Sequence, residues 1–270
     1  MREFKKIGII YKPDVANVLT ICEKIKNFLE QKHFVTFVTE INNPAKDIDV
    51  AIIIGGDGTI LRAARFYTPL NIPIFGINVG RLGFLAQVKV DEIELGLEKL
   101  IKGEFKIDER LMLSLNNNGT IALNDIVVKS SNSLKTVDYV VYLNGKPVCN
   151  YLADGMIVAT PTGSTAYTLS AGGPVIEPSL EAVVLVPICP HTLNARPLVI
   201  PANETIKIKS KNNDETFSIF VDGQIDIDTQ EDVVIDKAQI KAKIILLDTD
   251  DDGFYSVLRE KLNWGIDPRA

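Results

Sequence analysis

The sequence predicts an α/β domain on a parallel sheet, then an antiparallel β-sandwich, with a C-terminal segment returning to the first domain. Three observations carry this reading. Up to residue 105, short runs apolar on both faces alternate with stretches of helical periodicity, the pattern of a parallel sheet covered on both sides. From 106 to 248, strand-like runs are separated by turn signals, which indicate hairpins and an all-β region. From 249 to 270 helical spacing returns in YSVLREKLNWG. The expected domains are therefore 1–105, 106–248 and 249–270.

In order along the chain, KKIGIIY at 5–11 reads as a buried strand, and a Pro-containing loop follows it. Between Val15 and Lys32, the positions Val15, Val18, Leu19, Ile21, Cys22, Ile25, Phe28 and Leu29 fall at helical spacing. His33–Thr39 is β-branched and aromatic and reads as a strand. Asp49–Ile54 is a nearly continuous apolar run into GGDGT, with a helix, TILRAARFY, after it. IPIFGI at 72–77 is a further strand and Asp91–Lys102 a further helix. In the second region, Asn118-Gly119, Asn144-Gly145, Asp154-Gly155 and Asp222-Gly223 are read as hairpin turns, because both turn positions need positive φ. The helix expected there is a short one after Ser164. The sequence contains no internal repeat and no low-complexity linker.

Composition bounds the function. Apolar residues make up 46% of the 270 and charged residues 24%, enough for a full core. A net charge of −6 argues against a surface made to grip nucleic acid. The N-terminal segment lacks the apolar core of a signal peptide, and no stretch approaches the roughly 20 apolar residues of a membrane span. Cys22, Cys149 and Cys189 are odd in number and lack metal-ligand spacing, so a reduced cytoplasmic compartment is expected.

The sharpest chemical feature is Gly55-Gly56-Asp57-Gly58-Thr59, directly after the strand VAIII. A strand running through glycines into a helix brings backbone N–H groups and a positive helix terminus to one point. Glycines let phosphate oxygens approach the main chain, and Thr59 is expected to cap the helix with its hydroxyl. A carboxylate in such a turn makes sense if it handles a proton or a metal ion. Arg62 and Arg65, at i and i+3, lie on neighbouring parts of one helix face, and either can reach a phosphate. The second dense segment is DGMIVATPTGSTAY, 154–167, continuing to Ser170-Ala-Gly-Gly-Pro174. Thr162, Ser164 and Thr165 offer donors there, and Tyr167 offers a ring on which a base can stack.

GGDGTILRAAR, INVGRLGFLA, Asn124-Asp125, DGMIVATPTGSTAYTLSAGGP, PICPH…RPLVIP, VDGQ and VLREKLNWG together resemble the NAD kinase family, in family order, from about residue 50 to 265. GGDGT alone is shared with lipid kinases and phosphofructokinases; the combination with TPTGSTAY is specific. The resemblance implies a Rossmann-like N-terminal domain, an all-β second domain, and assembly as a homodimer or homotetramer. It implies transfer of a phosphoryl group from ATP, another nucleoside triphosphate or polyphosphate to the 2′-hydroxyl of the adenosine ribose of NAD, giving NADP. Asp57 would be the catalytic acid/base, with Gly55, Gly56, Gly58, Thr59 and Phe84 around substrate and Arg62 facing phosphate. Asn124 and Asp125 match the family's Asn-Glu pair, with Asp one methylene shorter. Lys135, Asp154, Thr165, Ala166, Tyr167, Ser170 and Gln224 would complete the dinucleotide pocket. Leu152 stands where many relatives carry a charged or very small residue, and Cys189 would line the pocket through backbone or packing only. Mg²⁺ would be carried mainly by substrate phosphates, without a protein-only cage.

Other readings have specific weaknesses. Asp248-Thr-Asp250-Asp-Asp252-Gly253 begins like a calcium loop, but the position for a bidentate Glu is Arg259. His191 beside Cys189 is half a metal site without a second pair. Ser164 lacks a GxSxG context, and neither GxGxxG nor GxxxxGK[ST] occurs. The alternatives kept open are a GGDGT-type lipid or sugar kinase and a non-catalytic dinucleotide-binding regulator.

Overall fold

The structure, a computed structural model, describes residues 4–80, 83–86, 88–116, 119–132, 135–211, 215–247 and 253–263. In chain order the first elements are β1 (Lys6–Tyr11), α1 (Val18–Gln31), β2 (Val35–Glu40), β3 (Val50–Ile54), α2 (Asp57–Tyr67), β4 (Ile74–Asn78), β5 (Val88–Lys89), α3 (Ile93–Lys102) and β6 (Phe105–Arg110). Then come β7 (Leu113–Leu115), β8 (Thr120–Ala122), β9 (Asp125–Ser130), β10 (Val137–Leu143), β11 (Lys146–Ala153) and β12 (Gly155–Ala159). They are followed by α4 (Tyr167–Ser170), β13 (Ala182–Ile188), β14 (Leu198–Pro201), β15 (Ile206–Ser210), β16 (Phe217–Val221), β17 (Ile225–Thr229) and β18 (Val233–Lys237). β19 (Ala242–Leu247) and α5 (Phe254–Leu262) close the chain. These elements form two compact units, one of residues up to Glu109 with those from Ala242 on, the other Arg110–Lys241.

The first unit is a mixed sheet in the order β2-β1-β3-β4-β19-β6, with β5 also paired to β4. β1, β2, β3 and β4 run parallel, and β3 and β4 are buried at every residue, as a sheet covered on both faces requires. Helix α1 buries Val18, Cys22, Ile25 and Leu29, one stripe at helical spacing, against the sheet. The chain turns one way from β1 to β2 and the other way at β3, so a topological switch point lies at β1 and β3. Ligands in open α/β sheets bind at the carboxyl ends of strands beside such a point. GGDGT leaves β3 at that end.

The second unit contains two antiparallel sheets, β11-β10-β15-β18-β7-β8 and β14-β13-β12-β9-β16-β17. Their inner faces share one core, in which Leu113, Val137, Tyr139 and Ile208 of one sheet meet Ile126, Met156, Leu185 and Ile219 of the other. The outer face of the second sheet carries a smaller apolar cluster, Val127, Ile157, Ala159, Val184 and Val186, which packs with Ile176. That face builds a pocket.

Several expectations change. β6 and β19, which the sequence reading assigns to the second domain, join the parallel sheet of the first unit, and β19 pairs with β4. Strand partnership over such separations is decided by packing, which leaves no local signature. Asn144-Gly145 and Asp222-Gly223 are hairpin turns with φ of 48° and 78°, and 50° and 63°. Asp154-Gly155 is not one: β11 and β12 lie in different sheets, and Gly155 begins a strand paired on both sides. Its glycine is required by crowding, since a Cβ there would come within 2.8 Å of Lys129 Cγ. Asn118, the residues Arg81 and Leu82, the acidic run 248–252 and Trp264-Gly265 lie outside the described residues. Among the described residues no helix is long and apolar enough to cross a membrane.

Candidate active site

In the first unit the glycine turn is short and open. Gly56 is the N-cap of α2 and Asp57 is its first helical residue. Thr59 therefore does not cap the helix; it lies inside the first turn, buried, with its hydroxyl packed against Gly55. A Cβ on Gly55 would meet Thr59 Oγ1 at 2.4 Å, whereas one on Gly56 would meet nothing within 4 Å. One glycine is needed for packing inside the turn, and the other leaves the helix N-terminus unobstructed. Gly58 and Arg62 are exposed beside it.

Asp57 is held from a segment 27 residues away. The N–H of Phe84 donates to Asp57 Oδ2 at 2.9 Å, and the N–H of Leu85 donates to Oδ1 at 3.2 Å. Each oxygen accepts one amide, which fixes the plane of the carboxylate and leaves lone pairs for another donor. Gly83 makes the approach possible, because a Cβ there would stand 2.0 Å from Asp57 Oδ1. Gly83 and Leu85 are absent from the candidate residues chosen from sequence. The run INVGRLGFLA contains both, but nothing local says that it folds onto Asp57.

In the second unit a cavity of about 370 Å³ opens on the outer face of the second sheet. Asn124, Asp125, Val127, Lys129, Ala166, Tyr167, Phe220, Asp222 and Gly223 line it. Tyr167 is 39% exposed, and Lys129 Nζ lies 5.7 Å from its ring centroid. The TPTGST segment is locked onto the Asn124 turn. Thr160 N–H donates to Asn124 O at 2.8 Å, Thr160 Oγ1 donates to Leu123 O at 2.6 Å, and a Cβ on Gly163 would come within 2.1 Å of Asn124 O.

Asp222 organises this turn. Its carboxylate accepts the N–H of Asn124 at 2.7 Å, of Leu123 at 3.2 Å and of Asp125 at 3.3 Å. Asp125, only 4% exposed, lies beside it. Burial, and then the charge of Asp222, push the Asp125 carboxyl up to about 7. The sequence reading takes Asp222 as half of a hairpin turn and as part of the VDGQ motif, and assigns its side chain no role.

The remaining candidates scatter. Ser164 is not a free donor toward a ligand, and Thr162 is buried. Ser164 Oγ donates to Pro161 O at 2.6 Å and accepts from Ile176 N–H at 2.9 Å, fully buried, and Thr162 Oγ1 accepts from Arg110 at 3.3 Å. Thr165 donates to Thr162 O at 3.3 Å, and Ser170 is exposed at the end of α4. Lys135 does not line the cavity: its ammonium pairs with Glu215, a buried carboxylate that Ser130 also reaches. Burial acts upward on Glu215, yet the bonds from Lys135 and Ser130 outweigh it and hold the carboxyl low. Gln224 follows Gly223 in the β16–β17 turn. Leu152, Asp154 and Cys189 gather at the ends of β11, β12 and β13. There His191 N–H donates to Leu152 O at 2.8 Å, and His191 Nε2 lies 4.0 Å from Asp154 Oδ1.

Known proteins match this chain over nearly its full length. Residues 41–105 match the family model of the ATP-NAD kinase N-terminal domain, and 123–247 that of the ATP-NAD kinase C-terminal domain. An NAD kinase of Lachnoclostridium phytofermentans is 36% identical over 95% of this chain and 98% of its own. One from Pseudomonas entomophila is 35% identical over 98% and 97%. An Archaeoglobus fulgidus NAD kinase solved in complex with ATP superposes with a TM-score of 0.81 at 30% identity, covering 94% of this chain and 97% of that one. A yeast NADH kinase complexed with NADH shares the fold, with a TM-score of 0.85 at 24% identity over 99% and 90%.

Proposed function

The chain belongs to the NAD kinase family and phosphorylates NAD to NADP, and from that premise we propose that Asp57 is the base of the transfer. The observation that carries this is the geometry of its carboxylate, part-exposed at the open N-terminus of α2 and oriented by the amides of Phe84 and Leu85. Asp57 accepts the proton of the ribose 2′-hydroxyl as that oxygen attacks the terminal phosphorus of the donor. The amides of the glycine turn and Arg62 receive phosphate oxygens. Phosphoryl transfer through a loose transition state asks mainly for positioning and charge stabilisation, which this turn supplies.

The cavity of the second unit holds the dinucleotide. Asn124 and Asp125 bond ribose hydroxyls, Tyr167 stacks on a base, and Ala166, Thr165, Ser170, Asp154 and Gln224 complete the surroundings. ATP is the donor on this reading, supported by the A. fulgidus relative bound to ATP. Among the described residues no three His, Cys, Asp or Glu side chains converge into a metal cage. On this reading Mg²⁺ is carried on the donor phosphates, and Asp57, at the glycine turn, is the carboxylate that would assist in holding it. When bound, the cation neutralises charge on the transferring group. The free thiols of Cys22, Cys149 and Cys189 support a reduced cytoplasmic setting. Exposed Leu193, Leu198 and Val199 support a homodimer or homotetramer, which light scattering measures.

The test is direct. The wild-type chain with NAD, Mg²⁺ and ATP forms NADP, and Asp57→Asn loses about 10²–10⁴-fold in kcat while still binding NAD by calorimetry. Near wild-type turnover in Asp57→Asn would remove Asp57 from the chemistry. A panel of other nucleoside triphosphates and polyphosphate ranks the donors.

A further inference from the structure

The segment that orients Asp57 has no ladder of its own. Gly83–Ala86 is neither helix nor strand, so side chains must hold it in place. On one side it is anchored in the core: Leu85 and Ala86 are 4% and 1% exposed. Ala86 sits against β4, where a Cβ on Gly76 would come within 3.1 Å of Ala86 Cα. Phe84, which supplies the shorter of the two hydrogen bonds to Asp57, is only half-buried. Its ring is met by α5. The Phe254 ring lies 6.4 Å away, tilted by 44°, and Lys261 Nζ stands 4.8 Å from the Phe84 centroid, within cation–π range.

These contacts span a long stretch of sequence. α5 comes some 170 residues after Phe84, sinks Leu258 completely, and packs Phe254 edge-on with Tyr255 at 5.5 Å. Phe254 and Lys261 stand seven positions apart, two turns of one helix, and so lie on the same face of α5. Both meet one ring, and the amide of that residue orients the carboxylate.

We propose that α5 is a positioning element for the phosphoryl transfer: Phe254 and Lys261 clamp the Phe84 ring and thereby fix the amide that aims Asp57. This rests on Asp57 being the base. Neither α5 residue touches the reacting atoms; each acts through Phe84. Reacting groups tolerate little displacement, and an ångström of misplacement costs up to about 10²-fold in rate. Loss of part of the clamp therefore lowers kcat and leaves the binding of NAD, in the other unit, nearly unchanged.

The experiment uses the full-length protein with NAD, ATP and Mg²⁺. Phe254→Ala is expected to lower kcat roughly tenfold, with KM for either substrate changed by less than about twofold. Phe254→Tyr, which keeps the ring, restores the rate. Lys261→Met, at an exposed position, lowers kcat about twofold and carries the test if Phe254→Ala is insoluble. The discriminating readout is Phe254→Ala placed in an Asp57→Asn background. A clamp that works through the carboxylate leaves the residual rate of Asp57→Asn unchanged, whereas general loosening lowers it again by the same factor. Wild-type kcat in both Phe254→Ala and Lys261→Met, or a full repeated loss in the Asp57→Asn background, overturns the proposal. Wild-type kcat in Asp57→Asn itself is a different result and removes the base assignment beneath it.

Discussion

Asp57 of the first unit and Asp222 of the second are held by the same device, backbone amides of a segment distant in sequence, yet they differ in surroundings. Asp57 accepts two amides and remains part-exposed at an open helix end. Asp222 accepts three and is 7% exposed, with its neighbour Asp125 buried beside it and raised to about 7. Amides fix a carboxylate in either setting. The difference is one of access: Asp57 is part-exposed at a helix end, whereas Asp222 is almost wholly buried at the wall of the cavity. A glycine is pressed against each arrangement, Gly83 on the Asp57 carboxylate and Gly163 on the Asn124 backbone, so both are specified by room as well as by charge.

The largest expected break in this comparison comes from filling that room. Gly83→Ala puts a methyl 2.0 Å from Asp57 Oδ1, so the carboxylate must turn or the segment must move. A fall in kcat on the order of 10²-fold is expected, with KM for NAD little changed. Gly163→Ala crowds Asn124 O at 2.1 Å, and its expected signature is a raised KM for NAD with a lowered Tm. If steady-state kinetics gave both variants one pattern, the two regions would not be separable in function.

Next in size is Asp222 itself. Asp222→Ala strands the amides of Leu123, Asn124 and Asp125, at a cost of about 1–3 kcal/mol. The urea midpoint should fall while the slope is unchanged. A midpoint equal to the wild type would mean that solvent serves those amides as well as the carboxylate does.

The smallest effect sharpens the contrast by pH. Asp125 moves from 3.8 to about 7 because burial, helped by Asp222, disfavours its anion. Between these values the folded chain holds a proton that the unfolded chain has released, so this residue makes stability fall as pH rises through the window. The penalty is fully present above about 7 and absent below 3.8. Asp125→Asn should therefore gain over the wild type as pH rises, by about 1 kcal/mol at alkaline pH, because the buried amide itself needs partners. Thermal unfolding at several pH values checks this, and a difference that does not vary with pH would place the titration elsewhere.

Much of the molecule was legible where the signal was local. VAIII running into GGDGT specified a buried strand, a glycine turn and a helix within one short stretch, and the structure has β3, Gly56 and α2 there. Asn144-Gly145 and Asp222-Gly223 were legible because positive φ at two adjacent residues is a requirement of the turn itself. Thr59 was misread because hydroxyl capping is a preference, and Gly56 could take the position at no steric cost. Asp154-Gly155 was misread because a dipeptide does not say whether its glycine serves φ or crowding.

By itself, the sequence determined the alternation of strand and helix and the glycine turn with its acid, since each depends on neighbours a few positions apart. Tertiary structure alone decided that β6 and β19 complete the first sheet, that Gly83–Leu85 folds onto Asp57, and that Asp222 gathers amides 97 to 99 residues away. The physical reason is the same in each case. Amides and strand edges are carried by every residue, so no side-chain type announces the partner; burial and available room select it once the chain has folded.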